Sequence, residues 1–85
     1  MELGQNYPNP ANPTTVIPFN LVSRSYITLK MFDALGREVN TLYNGYADSG
    51  QHSVQIDVSR LTSGVYYYRI SSGMSTYVHK LCVIR

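Results

Sequence analysis

From Thr14 onward the apolar positions recur with a period of two. Thr15, Ile17, Phe19 and Leu21 alternate with Val16, Pro18 and Asn20, the pattern of a strand with one buried face. Between Ser25 and Asp33, Ile27, Leu29 and Met31 oppose Tyr26, Thr28 and Lys30. A shorter strand over Glu38–Tyr43 carries Val39 and Leu42. Gln51–Val58 is the most one-sided stretch, with His52, Val54, Ile56 and Val58 against Gln51, Ser53, Gln55 and Asp57. Gly64–Ser71 is apolar on both parities: Tyr66, Tyr68 and Ile70 on one, Val65 and Tyr67 on the other. A half-buried strand needs only one apolar face, so this strand has a covered outer side or a surface meant to be touched. In the last strand, Met74–Ile84, placing Tyr77, Leu81 and Val83 inward keeps Lys80, Cys82 and Ile84 outward and avoids burying a lysine. No segment has a helical period. Six or seven short strands separated by turn signals predict an all-β fold, an antiparallel β-sandwich of about seven strands.

The punctuation supports this division. Pro18 predicts an edge strand or a bulge, because it cannot donate to a ladder. Asp33-Ala34-Leu35-Gly36-Arg37 reads as a tight connection with glycine at a positive φ. Asn44-Gly45 and Asp48-Ser49-Gly50 read as loop, Thr62-Ser63-Gly64 as a turn into the doubly apolar strand, and Ser71-Ser72-Gly73 as a hairpin. Residues 1–13 are set apart from the sandwich of residues 14–85 as an arm, whose prolines at 8, 10 and 13 push the residue before each toward extended geometry. This arm is expected to be stiff, with Tyr7 pinning it to the domain. As a polyproline ligand for a partner's aromatic groove it lacks a clean spacing.

Composition narrows the classes. The chain has 85 residues, 44% hydrophobic and 14% charged, with a formal charge of +2. That is one globular domain, with basic residues too few and too scattered for a nucleic-acid footprint. No apolar run is long enough for a membrane helix. The opening Met1-Glu2-Leu3-Gly4 has neither the basic nor the apolar region of a signal peptide. Met1 reads as a start placed before a fragment, so the function is expected to belong to a larger parent. Cys82 alone cannot form an internal disulfide. His79, three positions away on the same strand, falls on the opposite face and so gives no local support for a nucleophilic Cys82. The five carboxylates form no acid–base pair, and His52 and His79 have no partners at metal-ligand spacing. Phosphate loops and nucleophile elbows are absent. The chain is read as non-enzymatic, with no cofactor.

One resemblance spans nearly the whole chain. Leu3-Gly4-Gln5-Asn6-Tyr7-Pro8-Asn9-Pro10-Ala11-Asn12-Pro13-Thr14-Thr15 resembles the opening of the type A C-terminal sorting domain of the type IX secretion system, the Por secretion tail family, usually L-x-Q-N-Y-P-N-P-F-N-P-x-T. Ile27–Asp33 with Gly36-Arg37 resembles its V-x-L-x-V-Y-D-x-x-G-R, and Gly50–Val54 its G-x-H-x-V. Leu61–Arg69 resembles its L-x-S-G-x-Y-x-Y-R, and His79–Arg85 its closing K-K-M-x-[IVL]-x-K. Ala11 stands where that family usually has Phe, Ile56 where Trp is frequent, and His79 where Lys is common.

The resemblance implies an immunoglobulin-like sandwich found in Bacteroidetes. It would label a cargo domain N-terminal to it for passage through the periplasm and recognition by the outer-membrane translocon. A sortase-like cysteine protease would then remove the label. The residues expected to matter for translocon recognition are Gly64, Tyr66, Tyr68, Lys80 and Arg85: Gly64 for the backbone, the two tyrosines to hold the strand, the basic groups for charge. A homodimer through the last strand or Cys82 is a further expectation, from the Pro18 edge and the apolar positions Val65, Tyr67, Cys82 and Ile84. The alternative is an accessory spacer or carbohydrate-binding module, for which Tyr26, Tyr43, Tyr46 and Tyr67 would form a coplanar sugar platform.

Overall fold

A computed structural model describes residues 1–11 and 13–84. Seven strands follow one another: β1 (Glu2–Leu3), β2 (Thr14–Leu21), β3 (Ser25–Asp33), β4 (Glu38–Ala47), β5 (Gly50–Asp57), β6 (Gly64–Ser72) and β7 (Ser75–Val83). They form two antiparallel sheets, β1-β2-β5 and β4-β3-β6-β7. The connections β2–β3, β4–β5 and β5–β6 cross between sheets, as in immunoglobulin-like sandwiches.

The period-two pattern sets what is buried. Ile17, Phe19 and Leu21 from β2 face Ile27, Leu29 and Met31 from β3, with Tyr68, Ile70, Leu81 and Val83 completing the centre. Of the last strand's three predicted inward residues, Leu81 and Val83 are buried, but Tyr77 is 44% exposed. Lys80 faces out as expected.

Three local expectations are corrected. Asn44-Gly45 is not a loop: β4 runs on to Ala47, paired residue by residue with the first half of β3. Thr28 Oγ1 donates to Asn44 Oδ1 (3.3 Å), and the Tyr26 and Tyr46 rings meet edge to face at 5.1 Å. These cross-strand pairs outweigh the turn preference of Asn-Gly. Pro18 lies in the middle strand of its sheet, not on an edge. Its missing donor points toward β1, where Gly4 N donates to Pro18 O (2.9 Å) and no bond can return. A side chain on Gly4 would lie 2.7 Å from Pro18 Cγ, so glycine there makes room for the ring. Tyr7 does not pin the arm with its ring, which is 56% exposed. Its backbone does so, exchanging two 2.9 Å bonds with Val16.

Candidate functional site: the arm and the last two strands

Gly4 O, left without a ladder partner by Pro18, accepts a bond from Tyr68 Oη at 2.7 Å. Tyr68 Oη in turn accepts from the backbone N–H of Asn6 at 2.9 Å. Tyr68 is 0% exposed, and burial pushes its phenol up to about 12, against the smaller opposing effect of the Asn6 bond. One hydroxyl thus joins β6 to the arm.

The arm's amide side chains do the rest. Asn6, 2% exposed, donates through Nδ2 to Thr15 Oγ1 (3.0 Å) and to Pro8 O (3.2 Å), while Thr15 Oγ1 donates to Pro8 O (2.9 Å). Gln5 Nε2 donates to Asn6 Oδ1 (2.6 Å) and reaches Lys80 O on β7 (2.9 Å). Asn9 Oδ1 accepts from Cys82 N (3.1 Å), and Ala11 N donates to Cys82 O (2.8 Å). His79 Nε2 donates to Leu3 O at 2.8 Å. Prolines cannot offer backbone donors, so side-chain amides take the place of a strand along the outer edge of β7.

The expected recognition residues divide accordingly. Tyr66, 7% exposed, donates from Oη to Thr62 O at 2.8 Å, four residues upstream. This is the tyrosine corner of immunoglobulin-like sandwiches, at the β5–β6 turn. Gly64 opens β6 at φ 154°, and a Cβ there would meet nothing within 4 Å, so only backbone conformation asks for glycine. Lys80 is exposed and pairs with Tyr67 across the outer face. Arg85 lies outside the described residues. Tyr66 and Tyr68 are therefore interior fasteners, while Lys80 is a surface group. Roles for Gln5, Asn6, Asn9 and Thr15 were not inferred from the residues themselves. Their signal was present only as polar letters between prolines, whose partners lie as far as 75 residues away in sequence.

A groove of about 550 Å³ runs along the side where β4 and β5 part, lined by Met31, Leu42, Val54, Val58 and Leu61. The Asp57 carboxylate at its rim accepts from Ser59 N (2.8 Å), and that bond leads the effects holding it below the usual carboxylate range. Among the described residues no cluster of His, Cys, Asp and Glu could hold a metal ion. The four tyrosines make no sugar platform either. Tyr26 and Tyr46 stand at 87° to one another, and half-buried Tyr43 packs edge-on against Phe19.

An antiparallel sandwich with a tyrosine corner and a proline arm clasping its last strand belongs to the class of immunoglobulin-like modules. Residues 5–84 match the model of the secretion system C-terminal sorting domain, and the chain belongs to that family. Its members are the C-terminal sorting signals of proteins secreted through the type IX system, and a sorting domain is not itself catalytic. Such a domain marks a parent protein for the cell surface or the extracellular space. No curated protein matches the chain.

Proposed function

We propose that the type IX translocon reads this label as a folded shape, on the outer side of β6 and β7 around Lys80. The observation that carries the reading is the clasp: the arm, Tyr68 and the edge of β7 form one bonded unit, so the last strand is presented in a fixed form. The outer side of this sheet brings Lys80 beside Tyr67 and Arg69 beside Val78, with the Arg69 guanidinium 4.7 Å from the Phe32 ring. The outer side of the other sheet presents Gln51, Ser53, Gln55 and Asp57. Two basic groups, Lys80 and Arg69, thus stand on that side, suited to an acidic receptor face. Gly64, Tyr66 and Tyr68 position that side, and Arg85 joins the proposal on sequence alone. The domain passes through the periplasm attached to its cargo. A sortase-like cysteine protease then separates the two before or within the arm.

The test is a reporter bearing a signal peptide with these 85 residues at its C-terminus, produced in a host with a working type IX system. Surface or medium reporter, lost in a translocon mutant and on deletion of β7, is the expected result. An intact fusion held in the periplasm, while the host's own tail is exported in parallel, defeats the reading. Lys80→Glu should lower export with the fold intact. Export of that variant at the unmodified level removes Lys80 from the contact surface.

A further inference from the structure

Among the described residues, the lysines and arginines carried by strands all stand on one surface of the molecule. Lys30 of β3, Arg69 of β6 and Lys80 of β7 alternate with the buried Leu29, Met31, Tyr68, Ile70 and Leu81. All three therefore point to the outer side of the four-stranded sheet. β1, β2 and β5 carry none. The register sets Lys30 directly opposite Arg69, and Lys80 diagonal to Arg69 through the Tyr67–Lys80 and Arg69–Val78 pairs. Like charges opposite one another on a sheet oppose folding, so packing does not account for the arrangement. Glu38 relieves one of the three, its Oε1 lying 3.1 Å from Lys30 Nζ. Arg69 and Lys80 have no carboxylate partner among the described residues. Beside them lies a shallow depression of about 280 Å³, walled by Phe32, Gly36, Tyr67 and Val78 with Arg69 as its charged side. It is open to solvent, Val78 being 55% exposed. The Arg69 guanidinium rests over the Phe32 ring, 4.7 Å from its centre, a contact that restrains its donor fork.

We propose that Arg69 and Lys80 take a carboxylate from a partner polypeptide, an aspartate or glutamate next to an aliphatic side chain that fills the depression against Phe32 and Val78. The charge calls for an anion, since this surface holds three cations against one carboxylate, Glu38. The sheet itself shows which anion suits it. Glu38 already reaches Lys30 on the same surface, and a second carboxylate on Arg69 and Lys80 repeats that pairing. An arginine fork receives both oxygens of a carboxylate at once. The volume excludes larger guests. About 280 Å³ falls below the range of small-molecule sites and admits a side chain or two, not a cofactor or a lipid tail. The inference rests on the export reading only for which protein carries the carboxylate. To that reading it adds the chemistry of the contact, with Arg69 at its centre.

The experiment titrates the isotope-labelled domain with a capped peptide holding one Glu between two Val, and with its twin carrying Gln instead. NMR follows the Arg69 Nε–H and the amides of Tyr67 and Val78. The Glu peptide should shift all three saturably, with a Kd on the order of 1 mM, and bind several-fold more weakly at high salt. The Gln twin should bind about tenfold more weakly. Arg69→Gln should cost about tenfold, and Arg69→Lys, which keeps the charge without the fork, should recover only part of it. If Arg69→Gln unfolds, Lys80→Gln should still show a several-fold loss. No shift at these groups up to the peptide's solubility limit overturns the proposal, as does equal binding of the two peptides. Tighter binding of inorganic phosphate, or of phosphatidylglycerol vesicles, also overturns it, because the site is then one for phosphate. Peptide binding alongside undiminished export of Lys80→Glu upholds the carboxylate site and places its partner outside the translocon.

Discussion

The hydroxyl of Tyr68 sits where β6 and the two halves of a backbone turn in the arm converge, bonded to Gly4 O and Asn6 N. Tyr68→Phe leaves Gly4 O and Asn6 N without that partner, so urea unfolding should show a loss of about 1–3 kcal/mol. The same group ties stability to alkaline pH. Its folded pKa, about 12, lies above the ordinary 10.0. Its contribution is therefore full below pH 10 and is lost as pH rises through 12, since the unfolded chain ionises first. The gap between wild type and Tyr68→Phe should narrow over that window; a constant gap across it contradicts the assignment. Gly64→Val should cost about 1–3 kcal/mol through its positive φ alone, and unchanged thermal stability of the variant would remove Gly64 from the positioning set. The alternation of Tyr66, Tyr68 and Ile70 announced that these side chains point inward. It carried no word of where the hydroxyls go, because Gly4 is 64 residues distant and only the assembled sandwich brings it near.

Strands were the most legible elements, because burying one face of a sheet imposes a period that no loop imitates. Five of the six predicted strands keep their bounds to within a residue or so. The failures lie where a neighbouring strand overrules local preference: Asn44-Gly45, held extended by β3, and Pro18, accommodated by Gly4. The two-residue β1 was illegible for a related reason, being defined only by its pairing with Phe19 and Asn20. Turns with their own side-chain bonds were easier. Asp33 accepts from Leu35 N and Arg37 N (both 2.9 Å) and from Arg37 Nε (2.8 Å). The backbone bond from Arg37 is first among the causes that hold its carboxyl below 3.8. A lowered carboxyl pKa stabilises above the unfolded value and loses that effect as pH falls through the folded one. Asp33→Asn should accordingly flatten the acid limb of a stability–pH curve, and an unaltered limb would show the turn to be indifferent to ionisation. In the arm, Asn9→Ala removes the side-chain acceptor of Cys82 N. Amide exchange at Cys82 should accelerate while that at Tyr68, inside the sheet, does not.

At the scale of the molecule the sandwich is asymmetric. One side is shut by β1 and the arm lying against β7; the other, between β4 and β5, is an open groove. β3 and β6 have neighbours on both sides, whereas β4 and β5 are edges. Native-state exchange should therefore be slowest in β3 and β6 and fastest along β4 and β5; β5 amides as slow as those of β6 would contradict this picture.

The clasp also imposes an order in time. Leu3 waits for His79, a separation of 76 residues, and Gln5 waits for Lys80. At ribosomal rates of roughly 5–20 residues per second, the arm exists for about 4–15 s before the strand that receives it. Contacts so far apart in sequence also form slowly once both ends are present. A message cut short before β7 yields a tail whose arm has nothing to grip and whose tyrosine corner faces an incomplete sheet. The finished fold thus certifies that translation has proceeded through β7, and a machine that reads the fold rejects truncated parents without inspecting them.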